Sequence, residues 1–283
     1  MNSQQRSKTM LLLAMLIYGS IGVFCRHIRL SSSVIALSRA ALGFLTLLLW
    51  RLLRAERADW AAVRRNAPLL LAAGSFLGFN WILLFEAYRY TTVAVATLCY
   101  YMAPVLVILA SPLMRERFTV RKLLCVAVAA VGMAILSLQG GEKSGLRGVL
   151  LGLAAAVLYA SIVLCNKKLA AISGMDRTLV QLLIAAVVMG VYTAATEDLS
   201  ALQPTGTELV LLLILGVVHT GLAYALYFGS MEALSGQTVA LYSYLDPIAA
   251  IFFSALLLGE GLTLRTALGA ALVLGATLLG EAG

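Results

Sequence analysis

The sequence predicts an all-α integral membrane protein of ten transmembrane helices built as two inverted five-helix repeats. Three observations predict it: a composition that is 61% hydrophobic and only 12% charged, a succession of apolar stretches long enough to span a bilayer, and a degenerate internal duplication. A soluble domain is roughly half apolar and a quarter charged, so a mean hydropathy of +0.96 excludes a water-soluble monomer. At about 1.5 Å of rise per residue, about 20 apolar residues cross a hydrocarbon core of roughly 30 Å.

Stretches of that kind occupy 9–25, 34–53, 68–88, 93–113 and 120–138, then 148–166, 179–196, 209–231, 238–258 and 263–280. The first is short and followed by Arg26 and His27, as a secretion signal would be, but it lacks a small-x-small cleavage site. Its Tyr18-Gly-Ser-Ile pattern also recurs as Tyr159-Ala-Ser-Ile in the sixth span, and a repeated element belongs to the mature fold.

The connections carry the topology. Arg51, Arg54, Arg57, Arg64 and Arg65 crowd the loop between spans two and three. Arg115, Arg117, Arg121 and Lys122 follow span four, and Lys167, Lys168 and Arg177 follow span six. These loops share one side, while the seven-to-eight connection on the other side is acidic, with Glu197, Asp198 and Glu208. Because Lys and Arg resist translocation, the basic side is expected to be cytoplasmic, with both termini inside; Arg26 and Arg29 oppose this weakly. The net charge of +8 is thus distributed by loop rather than gathered into a nucleic-acid-binding stripe.

The duplication divides the chain at 1–140 and 145–283. At a constant offset of 143, Leu70, Gly78, Leu83, Phe85, Leu98, Tyr101, Pro104, Ile108 and Ser111 match Leu213, Gly221, Leu226, Phe228, Leu241, Tyr244, Pro247, Ile251 and Ser254. Glu116, Thr119 and Arg121 then match Glu260, Thr263 and Arg265 at 144. Five helices is an odd number, so the second copy enters the bilayer from the opposite face. Inverted repeats place a substrate site near the midplane and exchange conformations to give alternating access. Spans three, four, eight and nine, where the repeat is cleanest, are the expected cavity walls.

The proline-centred span followed by Glu, twice over, with Leu258-Gly-Glu260-x-Leu-Thr263 and Gly269 and Gly275 in the last span, resembles the EamA-like branch of the drug/metabolite transporter superfamily. The resemblance covers nearly the whole chain. It implies a ten-helix prokaryotic inner-membrane protein that exports amino acids, amines or related metabolites. The first copy departs from the pattern in having Arg115-Glu116 for Gly-Glu, and Asp246 beside Pro247 is more polar than the family's usual neighbour.

Within the spans, the rare polar groups are the candidates. Pro104 and Pro247 lack an amide hydrogen and are expected to free the carbonyls of Tyr100 and Ser243, either as hinges or as static kinks. Asp246 is the leading substrate and proton group, because a charge at the bilayer centre costs about 2.5 to 3.5 kcal/mol. Helical spacing puts Tyr242 and Ser243 on its face, and the competing role is an ion pair with Arg39. Glu86 is a second proton-coupling candidate unless it pairs with Arg89 one turn on. His219 is a titratable substrate candidate or a hydrogen-bonded packing residue.

Trp81, Tyr100, Tyr101, Tyr224, Tyr242 and Tyr244 supply rings that stack on a solute or face a cation, and Asn80 an amide that needs partners at that depth. Glu116 and Glu260 are expected to stabilise the starts of helices five and ten. Gly74, Gly78, Gly269, Ala270 and Gly275 are expected to let helices approach, and Cys25, Cys99, Cys125 and Cys165 to be apolar filler.

The chain has no zinc-binding His-Glu-x-x-His, no Gly-x-Ser-x-Gly elbow and no phosphate-binding Gly-Lys-Ser/Thr. The expectation is therefore a secondary transporter with a small-molecule substrate, a lipid environment and protons as coupling partners, with no metal or cofactor, as a monomer or weak dimer. Importers or facilitators of nucleosides or cationic drugs fit the same residues. An intramembrane enzyme using Asp246 or His219 fits them less well.

Overall fold

The computed structural model describes residues 3–55, 58–110, 120–137, 145–231, 234 and 236–281. Ser111, Arg115, Glu116, Arg117 and Thr119, as well as Arg57 and the junction 138–144 between the two copies, lie outside the described residues. The rest is 85% helix, with no strand among the described residues. The first half comprises α1 (Ser3–Arg26), α2 (Ser32–Leu53), the short α3 (Trp60–Arg65), α4 (Ala67–Tyr90), α5 (Val93–Tyr100), α6 (Ala103–Leu109) and α7 (Val120–Ser137). The second comprises α8 (Leu146–Lys167), α9 (Gly174–Thr196), and α10 (Gly206–Leu213), which runs through a π-helical segment (Ile214–Leu222) into α11 (Ala223–Met231). It ends with α12 (Gly236–Ser243), α13 (Leu245–Leu258) and α14 (Leu264–Glu281).

Six helices among the described residues are long and apolar enough to cross a bilayer: Ser3–Arg26, Ser32–Leu53, Ala67–Tyr90, Leu146–Lys167, Gly174–Thr196 and Gly206–Met231. Shorter apolar helices occupy Val93–Leu109, Leu123–Ile135, Leu245–Leu258 and Leu264–Ala276. Several helix starts are closed by side chains, because the first amides of a helix have no intrahelical partner. Ser31 caps α2, Thr92 caps α5 and Ser173 caps α9, while Thr205 and Glu208 form a reciprocal capping box on α10.

Burial runs as expected for a bundle in lipid. Large side chains such as Leu49, Val191, Phe252 and Leu256 point outward, whereas Ala14, Ala36, Ala40, Ala73, Ala96 and Ala155 are fully buried. Lipid tails are as apolar as leucine, so helices associate through close backbone approach at small residues. At Gly19 an added Cβ would lie 2.6 Å from the Ala249 Cβ, which makes the α1–α13 seam a backbone contact. Gly74 and Gly78 do the same against Ile184 and Met189 of α9, and the Gly269 carbonyl closes on Gly132 of α7. Gly275 departs from expectation: a Cβ there would meet nothing within 4 Å.

The principal pairs are α4 with α8 and α9, α2 with α9 and the π segment, α1 with α13 and α11, α8 with α5 and α6, and α7 with α14. At one end of the bundle Arg51 Nη1 pairs with Asp176 Oδ1 at 2.9 Å, tying α2 to α9, and Asn66 bonds the Ala170 carbonyl. At the other end Glu86 and Glu197 accept the hydroxyls of Ser32 and Ser33, each at 2.7 Å, and Glu208 accepts the Arg29 amide.

Candidate functional site

Two helices are interrupted at equivalent places. The chain turns at Tyr101 and Met102 between α5 and α6, and at Tyr244 between α12 and α13. Pro104 and Pro247 follow each break by a few residues, in the first turn of the resumed helix, where a missing amide is tolerated. The carbonyl freed at Ser243 lies 3.5 Å from the Tyr101 hydroxyl. The same hydroxyl donates to Asp246 Oδ2 at 2.6 Å. The two breaks, one from each half, are therefore joined through one phenol and one carboxylate.

They open onto a cavity of about 330 Å³, within the size range of small-molecule sites. Of the sequence candidates, Trp81, Tyr100, Tyr101, Tyr224, Tyr244 and Asp246 line it, as does Pro104. Its rings interlock: Tyr100 lies 5.1 Å from Tyr159 and Tyr18 lies 5.9 Å edge-on to Tyr224, measured between ring centroids. Sequence reasoning did not assign Tyr18, Tyr88 or Tyr159 to the site, although the Tyr18/Tyr159 repeat signalled the first and last of them. The buried Tyr18 hydroxyl has no hydrogen-bond partner among the described residues.

Arg39 is the other residue that sequence reasoning undervalued. It lines the cavity from α2, 95% buried, but is not paired with Asp246; no described carboxylate lies within 4.0 Å of it. Its Nε donates to Thr220 Oγ1 at 2.9 Å, and its Cζ sits 4.2 Å from the Trp81 ring centroid.

Five candidates stand elsewhere. Asn80 is fully buried, donating to the Ala155 carbonyl at 2.6 Å and accepting the Tyr100 hydroxyl at 3.3 Å, so it fastens α4 to α8 and orients a cavity ring from behind. His219 lies outside the cavity wall. Its Nε2 meets Ser20 Oγ at 2.9 Å, its Nδ1 meets the Ile214 carbonyl at 3.2 Å, and Phe24 packs edge-on at 4.6 Å. Tyr242 packs with the cluster around Leu11 and Met15 and not beside Asp246, because the break at Tyr244 cancels the helical spacing between them. Glu86 stays near the end of α4, 3.6 Å from Arg89. Pro247 is buried behind the wall.

Glu260 acts on a helix start, but not on that of the last helix. Its carboxylate accepts the Val93 amide at 2.9 and 3.1 Å, capping α5, and approaches Arg26 to 3.5 Å. Gly259, with φ of 63° in the left-handed region, ends α13 and turns the chain. Thr263 instead accepts the Thr266 amide at the start of α14.

The comparisons with known proteins agree with this architecture. The family model described as EamA-like transporter family matches residues 6–138 and again 146–280. The chain is 29% identical over 267 residues to the uncharacterized transporter YxxF of Bacillus subtilis (strain 168), covering 91% of this chain and 84% of that one. It is 25% identical over 269 residues to an uncharacterized transporter of Archaeoglobus fulgidus, covering 95% and 94%. A crystal structure of a protein 18% identical in sequence superposes with a TM-score of 0.68, covering 98% of this chain and 97% of that one, which extends the likeness to the whole fold. With both halves matched by one family model, and with relatives named as transporters aligned along most of their length, the chain belongs to the EamA-like transporter family of the drug/metabolite transporter superfamily.

Proposed function

We propose that the protein is a ten-helix secondary transporter of a small metabolite, working by alternating access between two inverted repeats, residues 1–140 and 145–283. The observation that carries this reading is the Tyr101–Asp246 hydrogen bond of 2.6 Å, which links the broken helix of one half to that of the other at the wall of the cavity. A site shared by both halves is one that both can open in turn. The packing supports the repeat. If each half is read as five spans, with α5–α6 and α12–α13 as one span each, exchanging the halves turns the α4–α8 pair into α1–α11, α1–α13 into α8 with α5 and α6, and α4–α9 into α2 with the π segment. Every one of these is a principal pair.

The substrate contacts are assigned to Trp81, Tyr100, Tyr101, Tyr224, Tyr244 and Asp246, with Asn80 and Tyr242 supporting from behind. Asp246 carries the proton when the solute is absent; Glu86 and His219, engaged as they are, rank below it. Pro104 and Pro247 are the paired bending points. The basic end of the bundle, with Arg51, Arg54, Arg64, Arg65, Lys167 and Lys168, is cytoplasmic, which puts both termini inside a prokaryotic inner membrane, and export is the direction that the family resemblance implies. Counterflow by purified protein in proteoliposomes tests the reading, after a thermal-shift screen of amines, amino acids and nucleosides has chosen the solutes. Saturable exchange of an unmodified solute is expected. Single-channel currents, or covalent change of the solute, would replace it with a pore or an enzyme.

A further inference from the structure

A buried guanidinium with no carboxylate within 4.0 Å among the described residues needs an explanation. A charge held away from water is costly unless it is paired or hydrogen-bonded, and an intramembrane arginine without a partner marks a functional site by default. Arg39 has five N–H donors; one, on Nε, reaches Thr220, and the guanidinium lies against the faces of Trp81 and Phe85 at 4.2 and 5.8 Å. The rings temper the charge without accepting its remaining hydrogen bonds. Asp246, the obvious acceptor, lines the same cavity but commits one oxygen to Tyr101 and does not reach Arg39.

The surroundings hold Arg39 where it is. Thr220 belongs to the π segment and donates its own hydroxyl proton to the Leu215 carbonyl at 3.0 Å, which aims an oxygen lone pair at Arg39 Nε. Gly43 and Gly216 bring α2 onto that segment: a Cβ on Gly43 would lie 2.4 Å from Thr220 Cγ2, and one on Gly216 would lie 2.2 Å from Leu42 Cβ. The guanidinium is thus oriented before any solute arrives, and two Nη groups remain. That fork is the geometry that binds a carboxylate through two parallel hydrogen bonds.

We propose that Arg39 is the carboxylate-binding subsite of the cavity and Asp246 its second pole, so that the protein selects solutes bearing an anionic group over plain amines and cationic drugs. This rests on the transport reading for its purpose but not for its test. Trp81 reports directly on the Arg39 guanidinium above it. In a Trp50→Phe, Trp60→Phe background Trp81 is the only tryptophan, since the chain has three.

The purified protein is titrated with 3-phenylpropionate and with its uncharged match, 3-phenylpropionamide, while Trp81 emission is followed. The acid is expected to change the emission saturably at concentrations about tenfold below the amide, as a charge-assisted pair replaced by a neutral one requires. Arg39→Gln is expected to erase the difference, and Arg39→Lys to keep part of it. Equal responses to acid and amide, or none to either, in the protein with native Arg39 overturn the proposal without relying on a variant that must fold. So does a preference that survives Arg39→Gln. A cavity blind to carboxylates with intact counterflow removes the subsite and leaves the transporter. Acid selectivity without counterflow of any solute removes the transporter and leaves the subsite.

Discussion

Asp246 has two competing uses for one carboxylate. Its 2.6 Å bond from Tyr101 holds it ready as an acceptor, and a cationic solute and a proton would both bind the same oxygens. Protonation therefore weakens cation binding. For a cationic solute the apparent affinity of the native protein falls as pH is lowered, and in Asp246→Asn it is flat with pH and weaker by about tenfold, close to 1.4 kcal/mol. A counterflow series across pH checks both; a native-like pH response in Asp246→Asn would clear the residue of a proton role. Tyr101→Phe keeps the ring and removes the hydroxyl that donates to Asp246 beside the Ser243 carbonyl, so it should cost about 1 to 2 kcal/mol of stability and reduce turnover. Thermal unfolding against counterflow rates checks this.

At the scale of elements, the breaks before Pro104 and Pro247 allow a bend without an orphaned amide. Alanine at 247 restores an N–H that can bond the Ser243 carbonyl, heals α12 to α13 and competes with Tyr101. The expected result for Pro247→Ala, and for Pro104→Ala by the repeat, is slower exchange with equal or higher thermal stability; normal transport in both would end the hinge assignment. Glu260 fastens the start of α5 from the other half. Glu260→Gln keeps its shape but loses the anion that meets both the helix dipole and Arg26, a loss of about 1 kcal/mol read as a lowered unfolding midpoint.

Elements also show what the sequence could and could not reveal. Tyr101, Tyr244 and the two prolines were legible because the duplication printed them twice, and Asp246 because charge is rare in lipid. Tyr242 was misplaced because its relation to Asp246 assumed an unbroken helix, and the break at Tyr244 leaves no periodic signature. Arg39 was visible as a charge but not as an unpaired one. Its partner depends on the π segment, where one wider turn reorients Thr220 and His219 without any change of hydrophobic pattern. The reach of Glu260 to Val93 spans 167 positions, which spacing alone does not reveal.

At the scale of the molecule, everything turns on whether the halves are inverted. Parity argues that they are, since five spans return the second copy from the opposite face; the exchange-symmetric packing is what a two-fold axis of either orientation would give. His27, just past α1, and Lys168, just past α8, are equivalent by the offset of 141 that relates Tyr18 to Tyr159. Both are exposed. With Cys25, Cys99, Cys125 and Cys165 replaced by alanine, His27→Cys and Lys168→Cys each present one thiol at the end of an equivalent helix. In right-side-out vesicles a membrane-impermeant maleimide should label the cysteine at 27 and spare the one at 168, and in inverted vesicles the reverse. Labelling of both from one side would make the repeats parallel, and the shared cavity would then lose the symmetry by which each half opens it to a different compartment.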